Sequence, residues 1–256
     1  MQIKSLKKND PDPLYIVADN SRSLSCAAKI AAICDKYKVP YFKLPKNRAV
    51  SARGHSYALQ WSYENIIKAL QPKRFGFLDH DVFLTKKLSP FTTMREQNLM
   101  AYGLRLVGVC HKKFYNKDHN PCWFLWPGYC FYEYDKVYDK KLYFMYDFSL
   151  GSDTGGRNYD RIYRDFEHDI GFCDFKHLNL SGTGNYNIDV SSSLIVKGWD
   201  WFKIKRDFDL FDDSWVHYRG ARDKGMVKDK NDKILFYLGS DIELKEYSDY
   251  NLQTKS

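Results

Sequence analysis

The sequence has 256 residues, 44% of them hydrophobic and 17% aromatic, which is enough for one large globular domain with a substantial core, or for two small ones. Lys and Arg number 40 against 32 Asp and Glu, and the formal net charge of +8 favours anionic partners such as nucleotides and phosphates. Residues 1–13 contain no apolar stretch long enough for a signal peptide, and the most apolar later window, residues 122–138, is interrupted by Pro127, Gly128 and then charges. We therefore expect no signal peptide and no transmembrane segment.

The cysteines indicate a reducing compartment. They include no C-x-x-C pair, and their spacing is not typical of a zinc site, so we expect them to be buried free thiols. The six are Cys26, Cys34, Cys110, Cys122, Cys130 and Cys173. We therefore expect a cytoplasmic location, and peripheral association with a membrane stays open.

Strands and helices alternate in the first part of the chain. Short apolar runs predict strands, and runs with helical apolar spacing separate them. The predicted strands are residues 13–21, 40–45 and 73–84, and the predicted helices are residues 23–39 and 56–70. This alternation predicts a mostly parallel central sheet with right-handed crossovers.

Polar side chains follow each of these strands. Asp19, Asn20 and Ser21 end the first, Asn47 follows the second, and "DHD" at 79–81 interrupts the third. Ligands bind outside the carboxyl ends of the strands in open sheets of this kind. The three clusters therefore predict one binding site.

From about residue 100 the sequence becomes aromatic and strand-like, in segments 99–110, 123–137 and 141–148. No Gly/Ser/Pro-rich linker precedes them, so we expect a single domain. It divides into a first half at 14–98, a second half at 99–222 and a peripheral C-terminal segment at 223–256. We expect the aromatic cluster Trp123, Phe124, Trp126, Tyr129 and Tyr132 to be mostly core, with one or two rings at its rim free to stack on a sugar.

Asp79 and Asp81 would share one side of the chain if the extended conformation persists, because side chains alternate along a strand. Two converging carboxylates repel each other unless a cation compensates, and Mg²⁺ or Mn²⁺ prefers such oxygen ligands. The alternative is that both aspartates are only the polar end of a strand before a turn.

Six segments of the chain resemble a known enzyme family. "IVADNS", "PKNRAVSARGHSYALQW" and "FGFLDHDVFL" are similar to the nucleotide-sugar half of GT-A-fold glycosyltransferases, closest to family 2 enzymes of the rhamnosyltransferase type. "WPGYCFYEYDKV", "GSDTGGRNYDRIYRDF" and "WVHYRGA" resemble later segments of that family. The likeness runs in order from about residue 14 to residue 222.

This resemblance implies a GT-A fold, with a Rossmann-like nucleotide-sugar-binding half at 14–98 and an acceptor half of mixed strands at 99–222. It implies a metal-dependent, inverting transfer of a sugar from a nucleotide diphosphate sugar to a saccharide hydroxyl, with Mn²⁺ or Mg²⁺. Asp153 would be the catalytic base. The metal set would be Asp79, Asp81 and His217, and the donor set would be Asp19, Asn20, Ser21, Asn47, Arg53, His55, Asp79 and Arg219.

Other interpretations stay open at this level. Asp19, Asn20 and Ser21 make an equally good turn, Asp153 could be a helix cap, and His217 could simply be packed. The chain could be a sugar nucleotidyltransferase, although it lacks a Gly-rich phosphate loop near the N-terminus, or a non-catalytic carbohydrate-binding protein. Nucleic acid is disfavoured, because Lys and Arg are spread along the chain and no nucleic-acid motif is present.

Overall fold

The computed structural model describes residues 2–46, 51–107, 123–146, 154–179, 186–189, 196–197 and 208–218. Helices and strands are mixed along this part of the chain, and the strands form three sheets with both parallel and antiparallel pairs. The predicted α/β class is confirmed at this level. None of the described helices has the length and apolar character needed to cross a bilayer.

The helices and strands are numbered in chain order. The α-helices are α1 Gln2–Asn9, α2 Leu24–Lys36, α3 Ser51–Ser62, α4 Lys68–Leu70, α5 Pro90–Glu96 and α6 Tyr134–Val137. π-Helical turns span Tyr63–Ile67 and Tyr159–Tyr163, and 3₁₀ turns span Tyr138–Lys140 and Glu167–Asp169. The strands are β1 Val17–Asp19, β2 Tyr41–Lys43, β3 Arg74–Leu78, β4 Val82–Leu84, β5 Ala101–Val107, β6 Trp123–Glu133, β7 Ile170–Phe172, β8 Phe175–Asn179, β9 Tyr186–Asp189, β10 Val196–Lys197, β11 Phe208–Phe211 and β12 Trp215–Tyr218.

The first strand–helix–strand unit forms as the sequence predicts. β1 and β2 pair in parallel, with Val17 opposite Tyr41, and α2 connects them. Ser23 caps this helix because its side chain accepts a hydrogen bond from the backbone N–H of Cys26. The described cysteines are free thiols; Cys34, Cys130 and Cys173 are buried, whereas Cys26 is exposed.

The predicted mostly parallel central sheet is wrong for the described strands. β3 pairs with β6 in antiparallel fashion, in a five-stranded sheet of order β10-β5-β6-β3 with β7 also on β5. Strand–helix alternation does not specify which strand lies beside which. Here the long apolar strand β6 lies beside β3, where Tyr132 stacks on Phe75 with ring centroids 5.2 Å apart.

The predicted strand at 141–148 is also wrong over its described part, residues 141–146. Side chains take its backbone donors in place of a neighbouring strand. Asn158 Oδ1 accepts from the N–H of Tyr143 at 2.7 Å, and Gln60 Oε1 accepts from the N–H of Phe144 at 2.8 Å. The Phe144 ring is buried in the core, so the aromatic pattern marks burial here and not strand structure.

The predicted third strand, residues 73–84, is two strands in two different sheets. β3 belongs to the sheet with β6, whereas β4 belongs to an antiparallel sheet of order β4-β12-β11-β8-β9. The chain turns between them, and the N–H of Val82 donates to the carbonyl of Asp79 at 3.1 Å. The alternation argument for Asp79 and Asp81 therefore fails, because the extended conformation does not persist through 79–81.

Helix α1, which the sequence analysis did not predict, covers β4 with polar side chains. Asn9 Nδ2 donates to the carbonyl of Leu84 at 2.8 Å, and Ser5 Oγ accepts from the N–H of Leu84 at 3.3 Å. Gln2 Nε2 donates to the carbonyls of Val82 and Asp79, at 3.0 and 2.6 Å. These side chains provide the hydrogen bonds that a further strand would otherwise supply.

Asp212 joins the two five-stranded sheets. Its carboxylate accepts hydrogen bonds from the hydroxyls of Tyr102 on β5 and Tyr129 on β6, both at 2.9 Å, and from the N–H of Asp174 at 2.9 Å. Both tyrosines are buried. Burial raises the pKa of Asp212, and the three hydrogen bonds oppose that rise without cancelling it.

We expect Asp212→Ala to lower the free energy of unfolding by about 2–4 kcal/mol more than Asp213→Ala, because it leaves two buried hydroxyls without an acceptor. Asp213 is a matched control. Both residues have φ near +50°, so both variants carry the same backbone strain, and Asp213 makes only an exposed pair with Lys176 in the described structure. Urea denaturation measures the difference, and equal losses would contradict the bridging role.

Candidate functional site

Two of the sequence-predicted polar clusters, those that follow β1 and β3, come together at the N-terminal part of α3. Asn20, just after β1, donates from Nδ2 to the carbonyl of Gly54 at 3.0 Å. His55, the next residue of α3, places Nε2 3.3 Å from Asp79 Oδ1 in the turn after β3. The end of β1, the start of α3 and the turn between β3 and β4 therefore form one continuous polar region.

The Asp19 carboxylate already has hydrogen-bond and ion-pair partners within this region. Its carboxylate accepts from the N–H and the hydroxyl of Ser21 at 2.7 and 3.0 Å and from the hydroxyl of Tyr41 at 2.7 Å, and Lys43 Nζ lies 3.3 Å away. Burial alone would raise its pKa, but these donors hold the pKa below the ordinary value. This geometry gives Asp19 and Ser21 a turn-stabilising role, and their contact with a nucleotide stays a prediction.

Asp79 lies at the junction of the two five-stranded sheets. Its N–H donates to the carbonyl of Gly128 on β6 at 3.0 Å, and its side chain contacts His55. Burial favours the neutral acid, but the hydrogen bond from His55 and the nearby His217 and His80 outweigh that effect and lower the pKa of Asp79. Asp79 is thus held as a carboxylate.

Asp81 has a different environment from Asp79. Its Oδ1 atom is buried and accepts no hydrogen bond within the part of the chain that the structure describes. His217 Nε2 lies 3.7 Å from that oxygen. A buried carboxylate oxygen without a donor is costly, so a cation at this position would be stabilising.

His217 reaches Asp81 through strand pairing. β12 lies between β4 and β11, with His217 opposite Val82 on one side and opposite Asp209 on the other. The imidazole Nδ1 lies 3.0 Å from Asp209 Oδ2, and the residue is only 6% exposed. Burial would lower the pKa of His217, but the hydrogen bond with Asp209 and the charges of Asp209, Asp81 and Asp79 raise it.

Trp126 packs against the same imidazole. The ring centroids of Trp126 and His217 are 4.6 Å apart, and the indole lies over Gly128, where an added Cβ would be 2.2 Å from Trp126 Cζ2. The other members of the predicted aromatic cluster, Trp123, Phe124, Tyr129 and Tyr132, are buried as expected. Trp126 is half-buried and lies at the rim.

Other predicted site residues are placed less closely or lie outside the described residues. Arg53 is exposed, with Cζ 5.5 Å from the ring centroid of Tyr146. Asn47, Asp153 and Arg219 fall in parts of the chain that the structure does not describe. Next to Asp153 in sequence, Thr154 is buried, and its Oγ1 lies 3.0 Å from Ser56 Oγ, one residue after His55.

Sequence reasoning missed two features of this site. Asp209 lies in the apolar run "FDLF", and a charged residue inside a buried strand is a signal that could have been used. Gln2, which bonds to the Asp79 carbonyl, carries no such signal, because a single polar residue on a surface helix is ordinary.

The described residues contain no group of three or more His, Cys, Asp and Glu side chains arranged to hold a metal ion. What they contain is the pair of Asp81 and His217, with Asp79 in the same turn. Comparison with known proteins finds no matching family model, no matching curated protein and no matching solved structure.

We expect Gly128→Ala to destabilise the protein by about 1–3 kcal/mol, because the new methyl group displaces the Trp126 indole from its place over β6. Trp126→Phe removes the part of the ring that collides, so the double variant should lose less than the sum of the two single variants. Urea denaturation of all four proteins gives this coupling energy. Additive losses would show that the indole does not depend on Gly128.

Proposed function

We propose that this protein is a metal-dependent glycosyltransferase that moves a sugar from a nucleotide diphosphate sugar to a saccharide hydroxyl, with inversion at the anomeric carbon. The observation that carries the proposal is the meeting of Asp81 and His217, whose Oδ1 and Nε2 atoms are 3.7 Å apart. These residues come from the two segments, "FGFLDHDVFL" and "WVHYRGA", whose likeness to the family implied a shared metal and diphosphate site.

The chemistry of this pair suits Mn²⁺ or Mg²⁺. The buried Asp81 oxygen has no hydrogen-bond donor among the described residues, and the neutral imidazole of His217 would offer a lone pair beside it. Mg²⁺ is usually bound through one or two carboxylates plus substrate phosphate oxygens, and Asp81 would supply one such carboxylate. When bound, the ion would neutralise charge on the departing diphosphate.

The donor would lie along the polar region formed by β1, α3 and the 79–81 turn. Asp79, held as a carboxylate beside His55, is suited to accept hydrogen bonds from ribose or from metal-bound water. Arg53 lies on the same turn of α3 and is exposed. Arg219, two residues beyond His217 in sequence, would pair with phosphate oxygens. Together these groups would bind a nucleotide diphosphate by charge and by hydrogen bonds.

The acceptor hydroxyl needs a base in an inverting transfer, and the family likeness assigns that role to Asp153. Its neighbour Thr154 is bonded to Ser56, beside His55, which supports an assignment near the donor region. A carboxylate there would take the hydroxyl proton as the oxygen attacks the anomeric carbon. The same likeness is the ground for expecting inversion.

Mn²⁺ together with UDP, GDP or dTDP should raise the melting temperature of the wild-type protein, because a ligand bound only to the native state stabilises it. We expect Asp81→Asn and His217→Ala to abolish this metal-dependent rise. Asp165→Asn and His168→Ala are the controls, because their side chains are 57% and 76% exposed and lie outside the proposed site. Both controls should respond like the wild type.

A folded Asp81→Asn variant with an undiminished metal-dependent rise would remove Asp81 from the site. The wild-type protein, incubated with Mn²⁺, nucleotide diphosphate sugars and an array of saccharides, should release nucleoside diphosphate and form a heavier glycan by mass spectrometry. Release of pyrophosphate in reactions with sugar phosphates and nucleoside triphosphates would indicate a nucleotidyltransferase. Sugar binding without any turnover would indicate a non-catalytic protein.

Asp153→Asn should lower the turnover number by roughly 10²–10⁴-fold while donor affinity changes little, because a general base acts only in the transition state. Donor titration and steady-state kinetics separate the two quantities. An unfolded variant would indicate a structural cap instead. A folded variant that transfers sugar at nearly the wild-type rate would place the base elsewhere.

A further inference from the structure

Asp209 is a buried charge at a position where strands usually carry apolar residues. It lies in β11 between Phe208 and Leu210, and its side chain has no exposed surface. Removing an ionised carboxylate from water is costly unless the charge is paired and hydrogen-bonded. We therefore expect the buried Asp209 carboxylate to have a hydrogen-bonded partner that stabilises its charge.

His217 is that partner. The two residues face each other across the antiparallel pair β11–β12, and Asp209 Oδ2 lies 3.0 Å from Nδ1 of the imidazole. An ionised carboxylate can only accept a hydrogen bond, so Nδ1 must carry the proton. When the imidazole is neutral, the lone pair is then on Nε2, the nitrogen that lies 3.7 Å from Asp81 Oδ1.

Packing restrains the ring in that orientation. The Trp126 and Phe211 rings have centroids 4.6 and 6.2 Å from that of His217. A flip of the imidazole would give up the bond with Asp209 and turn Nε2 away from Asp81. The hydrogen bond fixes which nitrogen is protonated, and the aromatic contacts restrict the rotation of the ring.

We infer that Asp209 is a positioning residue that fixes the Nδ1–H tautomer of His217 and directs Nε2 towards Asp81. The use of that nitrogen towards a divalent cation rests on the proposed function. When a metal-binding imidazole donates its other ring N–H to a carboxylate, that hydrogen bond orients the ring and increases the basicity of the metal-binding nitrogen. Asp209 would thus act on the cation without touching it.

The first test reads the tautomer directly and needs no metal. Nitrogen-15 histidine labelling and long-range proton–nitrogen NMR at alkaline pH distinguish a protonated from a bare ring nitrogen, and His217→Ala assigns the signals. In the wild type we expect a protonated Nδ1 and a bare Nε2. Asp209→Ala should shift this pattern towards a protonated Nε2, whereas Asp209→Asn should keep it, because the amide oxygen can still accept from Nδ1–H.

The second test measures Mn²⁺ binding in the presence of UDP by isothermal titration calorimetry. We expect Asp209→Ala to weaken binding by about 10–100-fold and Asp209→Asn to weaken it less. Asp213→Ala, at an exposed position in the turn of the same β11–β12 hairpin, should leave both the tautomer and the affinity unchanged.

The outcomes separate this inference from the proposed function. A wild-type His217 with a bare Nδ1 overturns the inference, and that outcome does not depend on the Asp209 variants folding. A folded Asp209→Ala protein with an unchanged tautomer, or with unchanged Mn²⁺ affinity, also overturns it. If the wild type shows the expected tautomer and loses it in Asp209→Ala but binds no Mn²⁺ with UDP, the positioning role stands and the proposed function fails.

Discussion

The antiparallel pairing of β4 with β12 is the constraint on which the candidate site depends. The N–H of Tyr218 donates to the carbonyl of Asp81 at 2.8 Å, so residues far apart in sequence are held in fixed register. Because β12 also pairs with β11, the same register sets Asp209 opposite His217. Side chains from β4, β12 and β11 are therefore aligned by backbone hydrogen bonds, which are less easily rearranged than loop contacts.

Four carboxylates that are buried or half-buried in the described structure differ in one informative respect. Asp19, Asp209 and Asp212 each have donors, namely Ser21 and Tyr41, His217, and two tyrosine hydroxyls. Asp81 Oδ1 is buried with no hydrogen bond from the described residues. Protein interiors tolerate such an atom when a ligand completes it, which is the physical reason for proposing that Asp81 contacts a ligand.

Two turns make contacts that stabilise the fold and also position the candidate site. At 79–82 the chain leaves one sheet and enters another, and Gln2 bonds to both carbonyls at the ends of that turn. At 212–213 two residues with positive φ close the β11–β12 hairpin, and Asp212 bonds to the opposite sheet. The site therefore lies at a junction that helix α1 and the tyrosine hydroxyls hold together. The same contacts therefore stabilise the fold and fix the geometry of the candidate site.

The sequence by itself determined the local elements and the chemistry available to them. The β1–α2–β2 unit, a helix at 56–70, β3, β5 and β6 follow from short-range apolar periodicity, and the polar clusters after the strands predict a binding site. The structure adds that this helix begins at Ser51 and contains a π-helical turn. Only the tertiary structure decided that β6 lies beside β3, that 73–84 belongs to two sheets, that α1 covers β4 and that Asp209 faces His217. Those outcomes depend on long-range pairing and packing, which no local pattern specifies.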